Sequence, residues 1–196
     1  MFIVNYQIPK RVKEVIKDID VNTFDLQYHE IHGPIELHFN SKQYGILVDF
    51  SFDLPMADEL LFCWFELLNG TAVKVLGSEK YVALKLPEIP YSWFEFINQG
   101  QSLLVRQVED TVFVRVPDLI ITQPISEFYS KWVKYEAINK QQFVEEVLIK
   151  TCGFLEEIFN INPKLLESQF IKHLLDIHKK AFRLAKSRGW AQQIVK

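Results

Sequence analysis

Between Phe24 and Asp53 the chain alternates apolar and polar residues over three successive stretches. Phe24, Leu26 and Tyr28 share one face of an extended backbone, and Asp25, Gln27 and His29 the other. After Gly33-Pro34, Ile35, Leu37 and Phe39 alternate with Glu36, His38 and Asn40. In "GILVDFSFD", Ile46, Val48, Phe50 and Phe52 alternate with Asp49, Ser51 and Asp53. Side chains of a strand point to opposite faces in turn, so a period of two marks strands with one face buried. The pattern predicts three antiparallel strands over 24–53, and their apolar face needs a covering layer.

The covering element follows at once. In "DELLFCWFELLNG", Leu60, Leu61, Trp64, Leu67 and Leu68 recur at steps of one, three and four. This spacing predicts a helix over Asp58–Asn69. Asp58 and Glu59 suit its positive end, and Asn69-Gly70 supplies a left-handed stop. The helix is apolar around most of its circumference, so it belongs in the core with Trp64 buried.

Strand patterns return at Ala72–Leu76, Tyr81–Leu86, Tyr91–Ile97, Ser102–Val108 and Thr111–Val116, the last three as a meander. Upstream, Phe2–Gln7 is a strand or a lead-in, and Pro9–Asp20 carries Val12, Val15, Ile16 and Ile19 at helical spacing. Past Pro117 the chain turns helical. Ile125–Tyr135 has Phe128, Trp132 and Val133 in step, Asn139 and Gln142 form a capping box for a helix through Ile158, and Asn162-Pro163 opens a last helix that ends at Gly189. The reading is a single α+β domain over 1–196, sheet-rich over 1–117 and helical over 118–196. A mainly antiparallel sheet with a buried crossover helix precedes a C-terminal bundle of about three helices.

Composition excludes several classes. Of 196 residues 48% are apolar and 24% charged, and the net charge is −3, which suits a globular protein rather than a disordered one. The longest apolar run, Leu60–Phe65, is far short of the ~20 residues that span a bilayer. The N-terminus lacks a basic segment followed by an apolar core, so a cytoplasmic protein is expected. The two cysteines, Cys63 and Cys152, lie inside helical patterns and read as small buried hydrophobes, not as a disulfide framework.

Charge is unevenly spread. Phe24–Gly70 holds eight acidic residues against one basic residue, Lys42. Lys172–Lys196 holds seven basic residues against one acidic residue, Asp176. In that basic tail Lys172, Lys179, Lys180, Arg183, Lys186 and Arg188 complement a helix C-terminus, and a net negative chain is a poor match for nucleic acid.

Motifs that carry chemistry are sparse. "QYHEIHGPIELHF" contains His29, His32 and His38 with Glu30 and Glu36. A hairpin turning at Gly33-Pro34 opposes His29 and His38 with Cβ atoms ~5 Å apart, near enough for two ligands on one metal. His32 faces the other way, and nothing supplies the third ligand that zinc needs. Exposed, metal-free histidines are expected. In "HLLDIH", His173, Asp176 and His178 lack the spacing that puts two histidines on one helix face. There is no nucleophile elbow, Walker loop or dinucleotide fingerprint, and seven scattered glycines leave little room for a phosphate cradle. The Asp49, Ser51, Asp53 row lies on a solvent face, where carboxylates keep ordinary acidity. No catalytic residue and no cofactor is expected. In "YSWFEF" both strand faces are apolar, with Tyr91, Trp93 and Ile97 on one side and Phe94 and Phe96 on the other. Either the strand is sandwiched, or one aromatic face meets a partner.

A meander, the buried helix "DELLFCWFELLNG", then "WFEF", "LLVR", "VFVRVP" and a helical tail form a layout that resembles small bacterial immunity proteins of polymorphic toxin systems. Those proteins neutralise a partner toxin by binding it, and prophage-encoded inhibitors are similar at this level. The resemblance implies a non-enzymatic protein with a protein partner such as a basic toxin or nuclease, and it carries over no functional residue. An acidic sheet suits steering onto a basic partner. Asp25, Glu36, Asp49 and Asp53 on the polar strand faces, with Trp93, are the candidate partner-binding residues. The alternatives are a small-molecule enzyme with an unrecognised site, which a concave pocket with converging polar groups would favour, and a phage-encoded inhibitor of a host defence protein.

Overall fold

A computed structural model describes residues 1–47, 58–89, 91–110, 118–124 and 128–190. Phe2 and Val4 alternate with less buried neighbours, and β1 (Phe2–Tyr6) forms there. It runs antiparallel to β3 (Ile35–Phe39), with Val4 opposite Leu37, and β4 (Lys42–Gly45) closes the other side of β3. The alternation predicted for 35–39 is present: Ile35, Leu37 and Phe39 are buried, while Glu36 and His38 are half-exposed.

The partner of β3 is not residues 24–28. Asp20 accepts a hydrogen bond from Thr23 N at 3.0 Å and starts the three-residue α2 (Val21–Thr23), just after α1 (Lys10–Lys17). A single π-helical turn, Phe24–Tyr28, follows and ends at His29 with φ 43°. Of the three apolar residues only Phe24 is buried; Leu26 is 80% exposed. Both flanks of β3 are taken by β1 and β4, so residues 24–28 have no place beside it.

The central helix also departs from its expected limits. His32–Gly33 (β2) pairs with Glu59–Leu60 (β5), and α3 (Leu61–Leu76) starts after that ribbon. It passes straight through Asn69-Gly70 and takes in the strand expected at 72–76. Asn69 is buried and donates through its amide to Phe65 O (2.8 Å) and Thr151 Oγ1 (2.7 Å), so a helical partner replaces the left-handed stop. Gly70 lets the chain at Ile120 approach closely: a Cβ there would lie 2.5 Å from Ile120 Cδ1. Residues around the whole helix are buried, Trp64 among them, as the apolar circumference predicts.

The larger sheet is antiparallel throughout, in the order β10 (Phe128–Ser130), β8 (Ser102–Asp110), β7 (Ser92–Gln99), β6 (Tyr81–Lys85), β9 (Ile120–Ile121). Glu136–Asn139 (β11) also pairs with β8. The helix expected over 125–135 is therefore replaced, in its described part, by β10 and a turn in which Lys131 N and Trp132 N both donate to Gln107 O. Among the described residues the C-terminal region holds two long helices, α4 (Lys140–Ile161) and α5 (Gln169–Ser187), joined by a 3-10 turn at Pro163–Glu167. Asn139 accepts from Gln142 N at 2.9 Å, the cap its sequence predicts. The strands expected at Thr111–Val116 and beyond Leu47 lie outside the described residues.

One continuous buried cluster runs through both sheets and all the long helices, from Phe2 to Ala185. Its aromatic rings interlock: Phe2 lies 5.0 Å from Phe39 and 4.8 Å from Phe143, and Phe65 stacks on Phe154 at 4.6 Å. A second, smaller cluster gathers Tyr81, Ala83, Trp93 and Val108 on the other face of the large sheet, with Phe128 packed against it. Trp93 has no exposed surface, and its indole N–H donates to Asp110 at 3.2 Å. Trp93, named from the sequence as a partner-binding candidate, is thus fully buried, with Ile97, Ile121 and Phe128 packed against its cluster.

Candidate functional site

Of the carboxylates expected along one polar strand face, the two described ones, Asp25 and Glu36, lie on different elements. Asp25 sits in the π-helical turn and caps α5, accepting from Ser168 Oγ and, at 3.1 Å, from Gln169 N. It is spent on a helix end, not offered on a sheet. Glu36 lies on β3 and is enclosed by Asn5 Nδ2 (3.1 Å), Gln43 Nε2 (2.7 Å) and His38 Nε2 (2.7 Å). The hydrogen bonds from His38 first and Asn5 next hold its carboxyl below the usual range. Asp49 and Asp53 lie outside the described residues.

The structure instead gathers carboxylates at the start of α3. Leu60 precedes that helix and offers no side-chain cap. Glu30 supplies one from 31 residues upstream: its Oε1 accepts from Ile31 N (2.7 Å) and Phe62 N (2.6 Å), and its Oε2 from Cys63 N (3.2 Å). An acidic group suits this end of the helix dipole. Burial works against the charge, and it outweighs the three N–H donors, so the carboxyl is pushed up to about 7. At the other end of α3, Arg188 donates to Leu76 O at 2.6 Å. The helix is thus capped at both ends by side chains remote in sequence.

Glu59 stands beside Glu30's helix end, accepting from Trp64 Nε1 (3.0 Å) and Tyr44 O–H (3.3 Å). Asp58 pairs with Arg11. Burial raises the Glu88 carboxyl, and Glu59 and Asp58 raise it further by repulsion, partly offset by His32. Burial likewise raises Glu66, against an opposing pull from His173. Cys63 feels this cluster: burial first, then Glu30, Glu66 and Glu88, push its thiol up to about 12. Such a thiol is a poor nucleophile.

A cleft of about 260 Å3 opens here. Val12, Val15 and Ile16 of α1 form one wall, and Arg11, Tyr28, Glu30, His32 and Asp58 complete it. The α1 wall is held in place from behind. Asn162 Nδ2 donates to Ile16 O and Ile19 O, both at 2.9 Å, and Lys13 pairs with Glu157 at 2.7 Å. The sequence placed Asp58 at the start of this helix but gave no sign that Glu30 would join it there. The available signal was negative: no Ser, Thr, Asp or Asn sits at the true start of α3, so its N–H groups had to find an acceptor elsewhere.

The histidines are dispersed. His29 is exposed beside Phe170, His32 is exposed on β2, and His38 faces Ile3 and Gln43 across β3, not His29. No group of three or more His, Cys, Asp or Glu among the described residues is arranged to hold a metal ion. His178 is half-buried 3.3 Å from Asn69 Oδ1, and burial lowers its basicity. In the basic tail Lys172 pairs with Glu167, and the Arg188 guanidinium also lies over Trp190. No helix among the described residues is long and apolar enough to cross a membrane. No family model, curated protein or solved structure matches the chain.

Proposed function

We propose that this chain is a non-enzymatic binding protein of the immunity or antitoxin type, and that its acidic end at the start of α3 meets a more basic protein partner. The immunity-type part rests on the resemblance of the layout. The acidic end rests on one observation: Glu30, Asp58, Glu59, Glu66 and Glu88 gather around a single helix start. Three of them, Glu30, Glu66 and Glu88, hold their protons more tightly than usual. Desolvated carboxylates that repel one another are relieved by an approaching cation. Tyr28 and Val15, exposed and lining the cleft with Glu30 and Asp58, add apolar contact area to the same region.

The test is capture of the partner from the native host, followed by association kinetics at two salt concentrations. The double reversal Glu66→Lys, Glu88→Lys should slow association by on the order of tenfold and flatten its salt dependence. An unaltered on-rate would count against the acidic end. A second reading, a small-molecule enzyme, draws on Glu30, whose carboxyl near neutrality lines the cleft with Arg11 and His32. It is the weaker one, because both Glu30 oxygens already serve as the cap of α3.

A further inference from the structure

We infer that the pocket between α4 and α5 binds a small phenolic acid, through one hydroxyl donor, a flat apolar body and a carboxylate. The inference stands apart from the acidic-end reading. A pocket of about 320 Å3 is lined by Cys152 of α4 and by His178, Lys179, Phe182 and Arg183 of α5. His178 and Phe182, like Lys179 and Arg183, are four residues apart, so all four share one helix face. The size is at the low end of the ~300–1,000 Å3 that small-molecule sites span.

The polar anchor is His178, and its hydrogen-bonding role is fixed from inside the protein. Asn69 is buried and donates through Nδ2 to Phe65 O (2.8 Å) and Thr151 Oγ1 (2.7 Å), while the Thr151 hydroxyl gives its own proton to Val147 O (2.7 Å). Asn69 Oδ1 therefore faces His178 Nδ1, at 3.3 Å, and an amide oxygen only accepts. Nδ1 thus carries the ring proton. Burial lowers the basicity of the ring, so at neutral pH it stays uncharged and Nε2 is an acceptor. Nε2 has no hydrogen-bond partner among the described residues, and it is not one of their enclosed unpaired atoms.

The ligand class follows from the lining. An open imidazole acceptor asks for an O–H donor. Phe182 is half-buried beside it and offers a ring. Lys179 and Arg183 are exposed, and neither pairs with a carboxylate among the described residues. Cys152 donates to Glu156 at 3.5 Å; burial first, then Glu156, push its thiol pKa up, so this wall is uncharged. A carboxylate has no proton to give Nε2, so the anionic end belongs with the two cations, where the Arg183 guanidinium can take both its oxygens. The hydroxyl then goes to Nε2, and a ring holds the two ends apart against Phe182.

The probes are para-hydroxyphenylacetate, phenylacetate and the neutral alcohol tyrosol, each titrated into the full chain and followed by NMR. The hydroxy acid should give saturable shifts at the Cys152, His178 and Phe182 amides, with affinity on the order of millimolar. Phenylacetate leaves Nε2 without a donor and tyrosol leaves the cations without an anion, so each should bind at least about tenfold more weakly. Nitrogen NMR of the His178 ring should find the proton on Nδ1 in the free protein and a shift at Nε2 when the phenol binds. Lys179→Gln with Arg183→Gln, both at exposed positions, should weaken the hydroxy acid about tenfold and leave tyrosol unchanged. A ring proton on Nε2, equal binding of the three probes, no saturable shift at these amides, or hydroxy-acid binding that survives the double substitution would each overturn the phenolic-acid site. None of these results touches the acidic end, which Glu66→Lys, Glu88→Lys tests separately.

Discussion

On the outer face of the small sheet, Glu36 sits among Asn5, His38 and Gln43 and keeps contact with water. On the outer face of the large sheet, Trp93 is fully buried among Tyr81, Val108 and Phe128. The neighbouring Glu95 is closed off by Arg106 and by the Tyr135 hydroxyl at 2.7 Å. Both sheets turn their other face to α3 and α4. The difference lies in what comes later in the chain. Glu36 and His38 on β3 keep partial exposure, whereas Ile121 and Phe128 from the edge strands β9 and β10 pack against the outer cluster of β6–β8 and Tyr135 reaches Glu95 there. A strand with one wet face must alternate; a strand covered on both does not have to.

The sharpest test of this contrast is a pair of large-to-small substitutions. Trp64→Ala on α3 and Trp93→Ala on the outer face should each cost about 3–5 kcal/mol in urea unfolding, since both side chains are fully buried. A cost below about 1 kcal/mol for Trp93→Ala would make the outer face a surface and break the comparison.

The acidic end comes next. Glu30 titrates at about 7 in the folded chain, above its ordinary 4.5. The folded state therefore binds this proton more tightly than the unfolded one. The Glu30 contribution to stability is fully present below about pH 4.5 and is lost as pH rises through about 7, a difference of at most about 3 kcal/mol. Glu66 and Glu88 are raised too and act in the same direction. Subtracting the pH profile of Glu30→Gln from that of the wild type isolates Glu30. A difference profile flat between those limits would mean that its charge is not buried.

Smaller effects follow from the helix caps. Asp25→Ala removes the acceptor for Ser168 and Gln169 at the start of α5 and should lower stability by about 1 kcal/mol, measurable as a shift in Tm. Smallest of all are the exposed histidines. His29→Gln should change stability by no more than about 0.5 kcal/mol, and protein purified without added metal should carry no stoichiometric zinc. A larger loss at His29, or zinc lost with it, would show that the small region is as tightly built as the large sheet.

Several elements were legible in the sequence because their signals are local. The alternation at Ile35–Phe39, the Asn139 cap and the all-round apolar surface of 61–68 each report a preference of a few adjacent residues, and each is present, whereas Asn162-Pro163 opens only a 3-10 turn and the last helix starts at Gln169, capped by Ser168. Other local signals gave way to partners far along the chain. Asn69-Gly70 reads as a stop until Thr151 offers Asn69 a helical partner. Residues 24–28 read as a strand until β1 and β4 take both sides of β3. Ile125–Tyr135 reads as a helix, yet the edge of β8 draws Phe128–Ser130 into the sheet.

The candidate site was the least legible part. By itself the sequence determined an acidic N-terminal half, a buried helix and an α+β composition, because charge count and hydrophobic period are sums over neighbours. Only the tertiary structure decided which carboxylates stand together. Asp25 and Glu36 went to a helix end and a side-chain network, while Glu30 travelled to the start of α3. The reason is the backbone: the unpaired N–H groups of a buried helix start must find an acceptor, and a short cap residue was not at hand in Leu60. A carboxylate from another loop met that need, and the cleft formed where it did.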